Sequence, residues 1–191
     1  IESVTGSNRG RVFLLAKYQV GNRDKKGGLP NYNYFILSYN NTDTKYKEFT
    51  ISLGEQFVSA ITFDIDPKGN LLCAGYYSNK NASGVAGTFY MRLDGENTQV
   101  LAKNIQAFDQ NTLAKFMSSG KAKRNRELYD YVLRKPIVRE DGGIVLVGEQ
   151  YYVVVVTTNT KYGSTTTYHY YYNTILVSNL NPDCSIAWTT A

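Results

Sequence analysis

The sequence predicts an all-β chain built as a partial β-propeller. It expects about three four-stranded antiparallel blades, a short helical insertion and a long projecting hairpin. Three observations carry this reading. A polar turn containing Gly, then four apolar residues, then Gly, occurs at Asp66–Gly75 and at Arg139–Gly148, with a weaker copy at Gly10–Ala16. Each copy is followed by an apolar strand that ends in an Asn/Asp turn, at Phe35–Asn41, Phe89–Gly95 and Leu176–Pro182. A further short strand comes next, at 45–51, 99–105 and 185–191. Strand, Gly turn, strand, loop, strand, Asn/Asp turn, strand is one propeller blade.

Each element follows from local chemistry. Gly and Asn/Asp fall where tight turns need positive φ or a side-chain hydrogen bond. Continuous apolar runs such as Val12–Ala16 and Ile144–Val147 suit strands packed on both faces. The blades are placed at 1–53, 54–108 and 132–191, the first without an opening strand. Propellers close with four to eight blades, and an open arc exposes two apolar blade faces. The arc is therefore expected to be a fragment of a larger protein, completed by the remaining blades of the same or a second chain.

Composition agrees with a folded β domain. The 191 residues are 42% hydrophobic, 19% charged and 14% aromatic, which excludes a disordered or collagen-like chain. There are 17 Tyr and 16 Gly but one Trp and one His, a mix that favours strands and turns. No apolar run approaches the roughly 18 residues that a membrane-spanning helix needs. The start, Ile-Glu-Ser-Val, lacks a basic segment followed by an apolar one, so no signal peptide is read there. Cys73 lies in an apolar strand and Cys184 in a turn, a poor pair for one disulfide. Two free thiols are expected, the first buried and the second incidental.

The segment 109–131 reads as an insertion. Asp109 or Asn111 can cap a helix whose apolar face is Leu113, Phe116 and Met117, and Gly120 can end it. A basic loop follows, with Lys121, Lys123, Arg124 and Arg126 as candidate anion contacts. The net charge of +5 owes much to this stretch, which includes Lys115. No aromatic residue is interleaved between Lys121 and Arg126, so nucleic acid is not expected as a partner.

The hairpin is the most unusual feature. Its arms are Glu149–Val156 and Thr167–Asn173, joined by a polar tip at Thr157–Thr166 that reads as a loop. Alternation puts Tyr151, Val153 and Val155 on one side of the first arm and Tyr152, Val154 and Val156 on the other. In the return arm Tyr168, Tyr170 and Tyr172 share a side opposite His169 and Tyr171. Both faces of a ribbon longer than a blade needs are thus apolar or aromatic. Such a ribbon is marginal in water alone, and tyrosines suit protein interfaces and sugar faces. Tyr151, Tyr152, Tyr168, Tyr170, Tyr171 and Tyr172 are the candidate partner-binding residues. Cross-strand pairing that merely holds the ribbon together is the alternative.

Catalytic and metal constellations are scarce. His169 has no acid or nucleophile near it in sequence, and multi-His/Cys zinc sites are arithmetically excluded. The stretch Asp64–Gly69 starts like a calcium loop but lacks the later ligands. No catalytic residue, metal site or cofactor is assigned.

The stretch Asp66–Gly75 with Phe89–Asp94 resembles the short β-propeller repeats of bacterial secreted proteins. Further stretches at 115–119, 127–129, 141–143, 149–152, 170–173 and 181–183 resemble uncharacterised envelope or secreted proteins of Bacteroidota. The likeness covers roughly residues 45–188. It implies a larger exported parent in the periplasm, at the outer membrane or outside the cell, and it implies no activity and no site residues. The expected function is a non-enzymatic binding or scaffold module that contacts an envelope protein through the hairpin. Glycan binding by tyrosine stacking is the alternative, and a hydrolase or lyase with a central-channel site is the third reading.

Overall fold

The computed structural model describes residues 1–6, 10–19, 21–23, 25–27, 29–40, 42, 45–81, 83–97, 99–124 and 127–191, without the side chains of 25, 29, 119 and 123. Three antiparallel four-stranded sheets dominate it, and each is an up-and-down meander. Sheet I is β1 (Ser3–Gly6), β2 (Arg11–Gln19), β3 (Tyr32–Asn40) and β4 (Lys47–Ile51). Sheet II is β5 (Phe57–Ile65), β6 (Leu71–Ser78), β7 (Gly87–Leu93) and β8 (Val100–Ala107). Sheet III is β9 (Tyr131–Leu133), β10 (Ile144–Thr160), β11 (Gly163–Leu180) and β12 (Ile186–Thr190), with Ile137–Val138 also paired to β10. Among the described residues no sheet closes into a barrel. The opening strand β1 was not expected from the sequence. It pairs Ser3–Gly6 with Val12–Leu15, and its polar, mostly exposed residues carry no apolar alternation to announce it.

The sheets stack face to face, with sheet II in the middle. All eight residues of β6 are buried. Leu71, Cys73 and Tyr77 face sheet I, where Phe13, Leu15, Tyr34 and Ile36 complete one core. Leu72, Ala74 and Tyr76 face sheet III, where Ile144, Leu146, Leu176 and Leu180 complete the other. A strand covered on both sides has no polar face to offer, so its sequence runs apolar without alternation. Gly148 makes room for Tyr76, since a Cβ there would lie 2.5 Å from the Tyr76 hydroxyl.

The turns are built as the residue types require. Asp66 accepts from the backbone N–H of Lys68 and Asn70, at 2.9 and 2.8 Å. Asp94, Asp141 and Asp183 hold their turns in the same way. Gly69 and Gly142 take the positive φ that closes the turn between the first two strands of sheets II and III. Asp66 also pairs with Arg92 at 3.2 Å, and Arg92 reaches the Pro182 carbonyl of sheet III at 3.4 Å. One arginine thus ties two sheets at their turn ends. The Asn41 end of the first Asn/Asp turn lies outside the described residues.

The insertion differs from expectation in one respect. Asp109 caps α1 (Gln110–Phe116), accepting from the Thr112 N–H at 2.6 Å, and Leu113 is buried as its face predicted. Gly120, however, does not end it: the helix stops at Met117, and a second helix, α2 (Ser119–Arg124), runs through Gly120 and the basic stretch. Burial of Ala122 in the sheet II–sheet III core gives that turn a packing reason to form. The segment is then anchored by Glu127, a buried carboxylate. It accepts from the Ser78 hydroxyl at 3.0 Å and the Asn79 N–H at 2.8 Å.

Both cysteines are free and both are buried. Cys184 is therefore not an incidental surface thiol: it packs into the core between sheets II and III at a positive-φ turn position. Desolvation pushes the Cys184 thiol up to about 11 and the Tyr131 phenol up to about 12. The same cause raises Cys73, Tyr76 and Tyr90.

Two outcomes follow from this packing. Between about pH 9 and 11 the unfolded chain releases protons from thiols and phenols that the folded chain retains. Stability should therefore be full below about pH 8.5 and fall as pH rises through that range, measured as the urea midpoint against pH. Glu127→Ala strands the buried Ser78 hydroxyl and removes the acceptor of the Asn79 N–H, and should cost about 1–3 kcal/mol by chemical denaturation.

Candidate functional site

The candidate partner-binding residues stand together on one structure, the outer part of the β10–β11 hairpin. Within sheet III, β10 is flanked by β9 up to Gln150, and β11 is flanked by β12 from Val177. The Tyr151 N–H still donates to the Asp130 carbonyl at 2.9 Å, and beyond it the two strands continue alone, from the Tyr152–Tyr171 pair to the Thr160–Gly163 pair. At about 3.4 Å per residue this ribbon reaches roughly 30 Å past the sheet. The expected loop at Thr157–Thr166 is instead strand, and the turn is only Lys161 and Tyr162. Threonine, β-branched, favours the extended form. Thr157 and Thr166 face each other with their hydroxyls 3.2 Å apart.

Register settles which side chains share a face. Tyr151 pairs with Tyr172, Val153 with Tyr170 and Val155 with Tyr168, so these six form one face. Tyr152 pairs with Tyr171, Val154 with His169 and Val156 with Thr167 on the other. Tyr152 and Tyr171 stack with ring centroids 5.0 Å apart at 14°, whereas Tyr151 and Tyr172 are tilted at 4.9 Å. Partial desolvation, then the nearby Tyr172 and Tyr170 phenols, hold Tyr151 above the usual tyrosine range. Tyr168, Tyr170, Tyr171 and Tyr172 are exposed, and Tyr151 and Tyr152 are half-buried. Cross-strand pairing is thus real at the ribbon's base. It leaves Tyr168 and Tyr170, about 60% accessible, facing solvent.

The ribbon's edges are open as well. No strand among the described residues pairs with the outer edge of 152–160 or of 163–176. Between Tyr151 and Tyr172 there is no Pro, Asp, Glu or Arg, and the one Lys is at the tip. Edge strands are ordinarily protected by such residues. Open edges and exposed aromatic faces together are what a strand-adding protein partner would use.

The basic candidates do not gather into a site. Lys121 and Arg124 are exposed on α2, the Lys123 side chain and Arg126 lie outside the described residues, and Lys115 donates to the Thr189 carbonyl at 3.0 Å. The neighbouring cavity of about 420 Å³ is lined by residues such as Phe108, Leu113 and Ala122, with no cation among the described residues. A polar cleft of about 420 Å³ lies where the first strands of the three sheets come side by side. There Asp64 takes a bond from Thr5 at 3.4 Å and an ion pair from Lys135 at 3.9 Å. Sequence reasoning named neither this cleft nor Glu127, since both depend on residues far apart in the chain. Among the described residues no three His, Cys, Asp or Glu side chains converge as metal ligands, and no helix is long and apolar enough to cross a membrane.

In comparisons with known proteins, no family model, curated protein or solved structure matches the chain.

Because the ribbon contributes nothing to either core, excising it should be tolerated. Replacing 152–171 by Asn-Gly between Tyr151 and Tyr172 should shift the unfolding free energy by less than about 1 kcal/mol. Thermal and urea melts check this.

Proposed function

We propose that this chain is a non-enzymatic protein-contact module of an exported bacterial envelope protein, a partial β-propeller that holds out a tyrosine-rich ribbon as its docking element. The observation that carries the reading is the ribbon's exposure on both faces and along both edges. A ribbon needed only for the fold would bury one face on its own chain. This one buries neither, and its unprotected edges favour an extended polypeptide over a sugar. Main-chain pairing would supply affinity and the tyrosine ladder would supply selectivity.

The propeller reading is supported by three up-and-down sheets stacked face to face with their first strands side by side. Export rests on the sequence resemblance over residues 45–188.

The test uses a photo-crosslinking residue at position 170 in the parent protein within intact envelopes. The captured partner is then purified and its affinity measured against the parent and a Tyr168→Ser/Tyr170→Ser/Tyr172→Ser variant. The expected result is a loss of about 30-fold or more, the scale of an interface hot spot. An affinity unchanged in the triple variant would remove the ribbon from the function. Selective binding to a glycan panel, lost in the same variant, would move the reading to sugar recognition.

A further inference from the structure

The outer edge of β10 is open for a reason that lies in mid-chain. β9 covers that edge up to Gln150. Asp130, the residue before β9, takes a φ of 63°, a left-handed conformation that residues other than glycine rarely adopt. Its N–H turns to the Ser83 carbonyl at 3.2 Å, and Leu128–Tyr129 pairs with Gly84–Val85 instead of with β10. The chain is led away at the very point where it would have gone on to cover the ribbon. The residues on both sides of that break are in place, so the gap is a feature of the fold.

The phase of the backbone on this edge is fixed by two hydrogen bonds. The Arg134 N–H donates to the Val147 carbonyl at 2.8 Å, and the Tyr151 N–H donates to the Asp130 carbonyl at 2.9 Å. Odd-numbered residues of β10 therefore turn their backbone groups away from β11. Pairing with β11 is regular from Tyr151 to Thr160, so the groups of Val153, Val155, Thr157 and Asn159 also point outwards. Among the described residues no strand meets them.

The open stretch, 152–160, carries no charge, and five of its residues are Val or Thr from 153 to 157. It is bounded by an acid at one end and a base at the other. Asp130 is exposed where β9 stops, and Lys161 is exposed at the tip. A strand that complements this edge in the antiparallel sense is uncharged along its length, with a cation beside Asp130 and an anion beside Lys161. The edge itself, turned end for end, has all three properties.

We propose that two copies of the chain join edge to edge along 152–160, antiparallel, about a two-fold axis at Val156. Val153 then stands opposite Asn159 of the second copy and Val155 opposite Thr157 of the second copy. These are the outward-turned residues, and they supply about eight main-chain hydrogen bonds between the copies. Lys161 of each copy falls opposite Tyr151 of the other, beside Asp130, so the charge pair forms twice. The register has little freedom. Sliding the second copy inwards drives its tip into β9, which occupies the edge at 148–150. Sliding it outwards loses pairs and parts the charges. The contact is isologous, so this edge is satisfied at two copies. It leaves the tyrosine faces and the β11 edge uncovered, and it therefore goes beyond the envelope-partner reading without depending on it.

Sedimentation of the full 191-residue chain at micromolar concentration tests it. The expected species has twice the monomer mass of 21.5 kDa. Val155→Pro removes an N–H that points away from β11, so the hairpin keeps its own ladder, checked by circular dichroism and melting temperature. It should weaken association by about 30-fold or more. Lys161→Glu sets like charges side by side at both ends and should weaken association about 10-fold at low salt and less at high salt. The register is read with cysteines, since Cys73 and Cys184 are both buried. Val156→Cys places two thiols opposite each other at the axis and should form an intermolecular disulfide under mild oxidation. Val154→Cys stands four residues from its counterpart and should not. A monomeric wild-type chain overturns the proposal. So does a dimer that Val155→Pro leaves intact, or one that crosslinks at 154 as readily as at 156. Capture of an envelope partner at position 170 does not need this edge, so failure of either experiment leaves the other result standing.

Discussion

Sheet II is buried on both faces, and the rest of the molecule is arranged around that constraint. Its strand β6 has no exposed residue, so it cannot fold without a neighbour on each side. Burying a Leu side chain such as Leu71 or Leu72 is worth about 1.5–3 kcal/mol, and these two point into different cores. Sheets I and III are therefore required covers. Arg92 adds a directional element at the turn end, fixing the sheet II turn at Asp66 to the sheet III turn at Pro182. Glu127 does the same at the opposite end of β6, clamping the Ser78–Asn79 corner to the chain that leads into sheet III.

How far this was legible in the sequence depended on whether the cause was local. Gly69 and Gly142 mark their turns because no other residue adopts that φ as cheaply, and the apolar runs after them mark β6 and β10. The strands read at 45–51, 99–105 and 185–191 appear as β4, β8 and β12 within two residues at each end. Non-local causes were not visible. Strand β1 has no apolar rhythm and forms because β2 offers it an edge. Gly120 looks like a helix stop, but burial of Ala122 outweighs its low propensity and α2 runs through it. The Thr-rich tip looks like a loop because its residues are polar, yet opposite β-branched partners keep it in register to Thr160. Of the candidate site, the six tyrosines and their faces were readable from alternation alone. The open edges were not, because they depend on where β9 and β12 stop.

An unprotected aromatic ribbon is a hazard for a protein in solution, and the rest of the chain moderates it. The hydroxyls of Thr157, Thr158, Thr165 and Thr166 make the outer third polar, and Lys161 places the ribbon's one cation at the end that meets other molecules first.

The ribbon and the faces of sheet III point in different directions. β10 and β11 cross sheet III as its two middle strands, then run on along their own axis after the bulge at Glu149–Tyr151. A continuation along the strand axis leaves from the end of a layer and not from its face. Val145, Val147 and Val177, which make the open face, belong to the part of the strands that stays inside the sheet. The same pair of strands thus joins the ribbon to the packed core through a hydrogen-bonded ladder whose register shifts only at that bulge. A partner held on the ribbon would inherit the position of sheet III, and with it the geometry of the stack.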